Sequence, residues 1–255
     1  MRNAWIICRK ELSSYFVSPV AYFLLTMFAV VFGFFFWTAL GYFANASLQM
    51  QMSGQTFPLN LNEQLIRPLL QNVSVISLFL IPMITMRLFA EEKRTGTIEL
   101  LATSPVRDLE IIIGKWLAAM MLYACLLIFT ALNFAFLFKY GNPDWKPLLV
   151  AYLGLLLQAG ALLAIGTFIS TLTKNQIIAG AATFGVALLM FVLGWVGEYE
   201  SSTWARVLSY LSINAHLESF SRGVLNSKDA VFYISMIFFG LFLTARSLES
   251  LRWRS

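Results

Sequence analysis

Charge is scarce in this sequence: of 255 residues, 12% are Asp, Glu, Lys or Arg, while 59% are hydrophobic. A water-soluble domain carries about 25% charged and roughly 45–50% apolar residues. Both departures argue against an ordinary soluble enzyme and point to lipid as the main solvent. Histidine occurs once, as His216, followed by Leu217 and Glu218. A lone histidine cannot complete a His-Glu-x-x-His zinc site, and the expected metal complement is none. The two cysteines, Cys8 near the N-terminus and Cys125 inside an apolar run, are isolated thiols and make no disulfide or metal framework. Gly114-Lys115 is followed by Trp116 and lacks the upstream glycine of a phosphate loop. No catalytic residue can be assigned. The 18 Lys and Arg exceed the 13 Asp and Glu, but they flank apolar segments, as the positive-inside bias of membrane proteins requires, so no nucleic-acid partner is expected.

What is present in abundance is hydrophobic length. A helix needs about 20 apolar residues to cross a hydrocarbon core of roughly 30 Å, and six segments meet that test: Val20–Phe43, Leu69–Leu88, Ile111–Phe138, Leu148–Leu172, Gln176–Val196 and Ala230–Thr244. Backbone polar groups in lipid must be satisfied within the segment, so these spans are helices. Six spans put both termini on one side. On the side of the termini, Lys and Arg number 3 in the N-terminus, 5 in residues 87–115, 1 at Lys174 and 3 in the C-terminal tail, 12 in all, against 1, 2 and 3 in the opposite loops. The bias favours N-in and C-in.

Before the first span, Trp5, Cys8, Leu12 and Phe16 recur at helical steps, with Arg2, Arg9, Lys10 and Ser13 elsewhere on the wheel. That is an amphipathic helix suited to the interface plane, ended by Ser18-Pro19. Arg9-Lys10-Glu11 interrupts any signal-peptide pattern there. The centres of the spans hold no ionisable residue, which argues against a chain that draws work from an ion gradient by itself. Ser74, Ser77, Thr85, Asn133, Gln158, Thr167, Ser170 and Thr183 remain as interhelical hydrogen-bonding groups or as a weakly polar conduit. Small-residue pairs Gly160/Ala164 and Ala181/Gly185 allow close helix approach, and Pro82 is expected to kink the second span.

Between the second and third spans the pattern reverses. Ten of the 29 residues from Arg87 to Lys115 are charged, five of each sign. Thr97 can cap a short helix with Ile98, Leu100 and Leu101 on its apolar side, and Pro105 ends it. This hairpin is either a solvated loop with weak internal ion pairs or a ball that seats in a partner protein.

The run Glu91-Glu92-Lys93-Arg94-x-Gly96-Thr97-x-Glu99-Leu100-Leu101, followed by Ser104-Pro105, resembles the coupling segment of the ABC-2 permease family. The N-terminal stretch up to Ser18-Pro19 resembles that family's elbow helix, with Trp5, Arg9, Lys10 and Phe16 as its marking residues. His216-Leu-Glu-Ser-Phe-Ser-Arg-Gly-Val-Leu through Arg246-Ser-Leu-Glu is similar, more narrowly, to the gliding-motility-associated permeases. The resemblance implies an all-α fold like the type V ABC exporters, as one transmembrane domain over 1–255. Within it lie an elbow helix at 1–18, a coupling segment at 89–110 and a re-entrant outer loop at 197–229. It also implies a bacterial inner-membrane location and a dimer with a second copy or a related permease or accessory membrane subunit. ATP and Mg would be bound by cytoplasmic ABC ATPase partners, with no cofactor in this chain.

On this resemblance Glu91, Glu92, Arg94 and Glu99 make ionic contacts with the ATPase, and Lys93 belongs to the same coupling segment. Gly96 supplies a turn, Thr97 caps the short helix after it, Ile98 and Leu101 form the apolar seat, and Pro105 ends that helix. In the loop from Gly197 to Asp229, Trp204, Val207, Leu208, Leu211, Leu217, Phe220, Val224 and Leu225 are apolar at helical spacing. They make either two short helices dipping into the bundle with Asn214-Ala215 at their turn, or helices flat on the membrane. In the first case His216 and Phe220 belong to an outer gate. Function then divides between an export permease and a subunit that passes force to a periplasmic partner, with an intramembrane enzyme as an alternative of another class that lacks its acid–base pair.

Overall fold

The computed structural model describes residues 2–53, 60–98, 106–141, 143–199 and 202–252. Every regular element among them is helical. The helices are α1 (Arg2–Val17), α2 (Pro19–Ser53), α3 (Arg67–Thr85, entered through a π-helical turn at Asn62–Ile66), α4 (Ala90–Thr95) and α5 (Asp108–Tyr140). They continue with α6 (Trp145–Leu172), α7 (Gln176–Tyr199), α8 (Thr203–Tyr210), α9 (Ile213–Ser221) and α10 (Ser227–Arg252). Six segments are long and apolar enough to cross a membrane: Pro19–Ser53, Asn62–Thr95, Asp108–Tyr140, Trp145–Leu172, Gln176–Val196 and Ser227–Ser250. The chain is a multi-pass, all-helical membrane protein.

Several helices outrun the apolar stretches that announce them. Hydropathy places the first span at Val20–Phe43, whereas α2 runs 35 residues to Ser53, about 50 Å at 1.5 Å per residue. Between Gly41 and Ser53 no glycine or proline interrupts the chain, so the helix continues after the hydrophobic pattern stops. The last span, only 15 residues by hydropathy, lies within the 26 residues of α10. α3 passes through Pro82 and continues to Thr85.

The bundle is built around α6. α10 packs along it, α3, α5 and α7 flank it, and α2 lies outside against α3 and α5. Small residues on α6 permit this. A methyl added at Gly160 would stand 3.0 Å from Ile237, and one at Gly240 would stand 2.8 Å from the Ala164 backbone. The pair Gly160/Ala164 is therefore a close-approach seam. Gly185 has open space around it, so Ala181/Gly185 makes no comparable seam.

Candidate functional site

At the α4 end of the bundle, the charged run placed before the short helix expected at Thr97 is itself a helix, Ala90–Thr95. Glu91 and Glu92 fall in the first turn of α4, Lys93 and Arg94 in the last, the order that the helix dipole favours. Gly96 ends α4 with a φ of 76°, a backbone region that glycine enters without steric penalty. The chain is helical again at Thr97 and Ile98. Glu99, Leu101 and Pro105 lie outside the described residues.

The α4 carboxylates turn partly inward. Lys115, four residues into the third apolar stretch, is only 2% exposed. Its Nζ lies 2.8 Å from Glu92 Oε1 and 3.2 Å from Glu11 Oε1. It donates to the Leu88 carbonyl at 2.8 Å and sits 5.2 Å from the centre of the Phe89 ring. One ammonium thus joins α1, α4, α5 and the end of α3. A buried charge survives only with such partners. Glu92 Oε2 is buried without a protein partner.

The remaining α4 groups divide between interior and surface. Glu91 accepts from Arg87 Nε at 3.0 Å, and Arg87 also reaches Ser18 Oγ at 3.4 Å. Lys93 Nζ donates to the Thr171 carbonyl of α6. Ser170 Oγ, also on α6, accepts from the backbone N–H groups of Phe89 and Ala90, both at 3.1 Å. The first orphan donors of α4 are thereby satisfied by a neighbouring helix. Arg94, Thr95, Gly96 and Thr97 are exposed, and Thr97 Oγ1 pairs with Thr95 Oγ1 at 2.9 Å. Ile98 is half-buried against the main apolar core.

α1 lies on α5 so closely that a methyl at Gly114 would meet the Ala4 carbonyl at 2.7 Å. That contact rotates the helix from the stripe read in the sequence. Its inner side is Ala4, Cys8 and Tyr15, with Leu12 and Phe16 half-buried and Trp5, Arg9 and Lys10 exposed. Asn3 Nδ2 donates to Glu110 at 3.0 Å. Tyr15 donates to the Ile84 carbonyl at 3.0 Å; burial pushes its phenol well above the ordinary range, so it remains a donor.

At the other end, α8 and α9 behave differently. α8 exposes Trp204, Val207 and Leu208 and buries Ala205. α9 packs against α3, α6, α7 and α10 and buries Ile213, His216, Leu217 and Phe220. Phe220 lies across Gly154, where an added methyl would stand 2.5 Å from its Cβ. The turn is at Leu211-Ser212 and not at Asn214-Ala215. Ser212 caps α9 by accepting from Ala215 N at 3.4 Å, and Asn214 sits within α9, its Oδ1 3.5 Å from Ser74 Oγ. Gln158 Nε2 donates to the same Ser74 hydroxyl at 2.6 Å.

His216 Nε2 donates to the Tyr210 carbonyl at 2.8 Å, and Nδ1 lies 2.7 Å from Asp229 Oδ1. Its ring stacks on Phe232 with centroids 3.9 Å apart. Both nitrogens are committed to protein partners, which fixes α9 between α8 and α10. His216→Ala leaves the buried Asp229 carboxylate and the Tyr210 carbonyl unpaired. It should therefore lower unfolding free energy by about 1–3 kcal/mol. A melting temperature equal to wild type in detergent would show the histidine to be dispensable there.

Lys115, Glu11 and Asp229 were not singled out from the sequence. Lys115 carried a signal: a cation inside an apolar stretch needs a named partner. Glu11 and Asp229 carried none, since their partners are 104 and 13 residues away.

Six helices long and apolar enough to span a membrane, tied at one end by a buried ionic junction and at the other by a packed short helix, define a polytopic membrane protein. The family model described as ABC-2 family transporter protein matches residues 55–248. The chain belongs to the ABC-2 family of transporter proteins, as its membrane-spanning permease component. The match covers α3 through most of α10. A search of curated proteins finds no match.

Proposed function

We propose that this permease exports a substrate, with ATP and Mg held by a separate cytoplasmic ATPase and force entering through α4 and the segment after it. The observation that carries the reading is the Lys115 junction. A push on α4 meets Glu92 and Leu88, and through one ammonium it acts on α1 and α5 together. The groups facing outward there, Arg94 through Thr97 and the partly exposed Glu91, are the ones available to a socket, with Glu99 and Leu101 following in sequence. α1 is the elbow helix of this scheme, its exposed Trp5, Arg9 and Lys10 lying at the lipid interface. α9, with His216 and Phe220, is a re-entrant element at the outer gate. The excess of cations on the α4 side supports N-in and C-in in a bacterial inner membrane. The working unit is a dimer of permeases or a pair with a related subunit.

Glu92 is occupied by Lys115, so reversing it would disturb folding as well as docking. Reversing Glu91 and Arg94 together leaves the junction in place. The double variant should retain the fold but lose ATPase co-purification and stimulation by about tenfold, the order expected when interface charges are turned repulsive. Undiminished assembly and stimulation would remove the coupling assignment, as would uphill flux by the purified chain alone.

A further inference from the structure

The end of the bundle remote from α4 holds a pocket of about 120 Å³ that the transport reading does not use. Its walls come from the π-helical turn, the start of α6 and the end of α9. Its lining includes two basic residues, Arg67 and Arg222, and an acidic set, Glu63 and Asp144, together with Asn62. Ile66, Leu70 and Leu148 form an apolar floor.

Three features of this pocket point to one ligand chemistry. Both guanidinium groups converge on a single carboxylate oxygen, Glu218 Oε1, each through one Nη2. A guanidinium has five donors, so most of theirs are left for a second acceptor, and a phosphate fits that fork geometry. Asn62 Nδ2 donates to the Asp144 backbone carbonyl at 3.1 Å, which fixes the amide so that Oδ1 is its acceptor atom. That Oδ1 is buried and has no donor. Glu63 and Asp144 beside it add negative charge. The acceptor side is therefore made for a cation that carries N–H groups.

The pocket also sits at headgroup depth. Arg67 lies two residues before the apolar stretch that starts at Leu69, and Asp144 lies four before Leu148. Trp145, next to Asp144, is 58% exposed, as interfacial tryptophans are.

We propose that this pocket binds a phosphoethanolamine group, the headgroup of phosphatidylethanolamine. The phosphate lies between Arg67 and Arg222, the ammonium meets Asn62 Oδ1, Asp144 and Glu63, and acyl chains leave over Leu70 and Leu148. The volume admits the headgroup and excludes the chains. A choline headgroup carries the same charges but no N–H donor, so it cannot satisfy Asn62.

The test uses the purified full chain with short-chain phosphatidylethanolamine, phosphatidylcholine and phosphatidylglycerol, and free phosphoethanolamine as competitor, read by native mass spectrometry. Ethanolamine lipid should be retained about tenfold better than the other two, the value of one charge-assisted hydrogen bond set. Glu63→Gln with Asp144→Asn should erase that preference. Arg67→Gln with Arg222→Gln should weaken all three lipids; if that variant misfolds through loss of the Glu218 pairs, the acidic-side variant decides alone. Competition by free phosphoethanolamine supports the headgroup as the whole determinant. Its failure beside tight lipid binding supports the lipid as the source. Equal retention of the three lipids by wild type, or a preference that survives the acidic-side variant, overturns the proposal.

Discussion

Lys115→Met is expected to destabilise the folded protein by about 3–5 kcal/mol, the range found when one partner of a buried ion pair is removed. The substitution keeps an unbranched side chain one atom shorter but leaves Glu92 and Glu11, each 18% exposed at the side chain, without a cation between them. It also strips the Leu88 carbonyl of its donor. Adding Glu92→Gln should recover part of the loss, because the amide carries no charge to leave unpaired and can donate a hydrogen bond. Thermal unfolding in detergent reads the stability. The proposed coupling role has its own readout: an ATPase partner bound to the double variant should hydrolyse ATP with little response from the permease even where the variant melts near wild type. A Lys115→Met protein that melts like wild type would show the junction to be energetically idle.

Gly154→Val should separate α9 from α6. Its Cβ would stand 2.5 Å from Phe220 Cβ and 3.2 Å from Leu217, both inside van der Waals contact, and overpacking of this kind costs about 1–3 kcal/mol. The strain cannot be relieved by moving one flexible side-chain tip, because Phe220 Cβ moves only with the α9 backbone. Displacing α9 would also loosen the His216–Asp229 and Tyr233–Ile213 contacts, the latter 2.7 Å long. Proteolysis at the α8–α9 turn should accelerate, and Phe220→Ala in the same chain should restore resistance by making room. Unchanged proteolysis in Gly154→Val would mean that α9 is not held by this contact.

The six spans were legible because lipid imposes one demand over twenty residues, and that demand survives any tertiary arrangement. The extent of each helix was not, since a polar run such as Asn45–Ser53 carries no signal that the helix has ended. The charged hairpin was visible as an anomaly, and Gly96 as its turn. What could not be seen was that Glu92 of the acidic run would share Lys115 with Glu11, brought together only when α1 lies on α5. The outer loop showed its apolar spacing, but that spacing is equal in α8 and α9. Only the glycine at 154, which lets one of the two reach α6, decides which is buried. The Asn214-Ala215 turn failed because Ser212 offered a better cap two residues earlier.

α6 touches both ends of the molecule. Ser170 and Thr171 grip α4, and Gly154, sixteen residues away, carries Phe220. Those points are separated by about 24 Å of uninterrupted helix, with neither proline nor a break in its hydrogen-bond ladder from Leu148 to Leu172. Such a segment behaves as a stiff strut. Whatever moves its lower grip along the axis shifts the seat of the upper short helix by the same distance, with no relay of side chains needed in between.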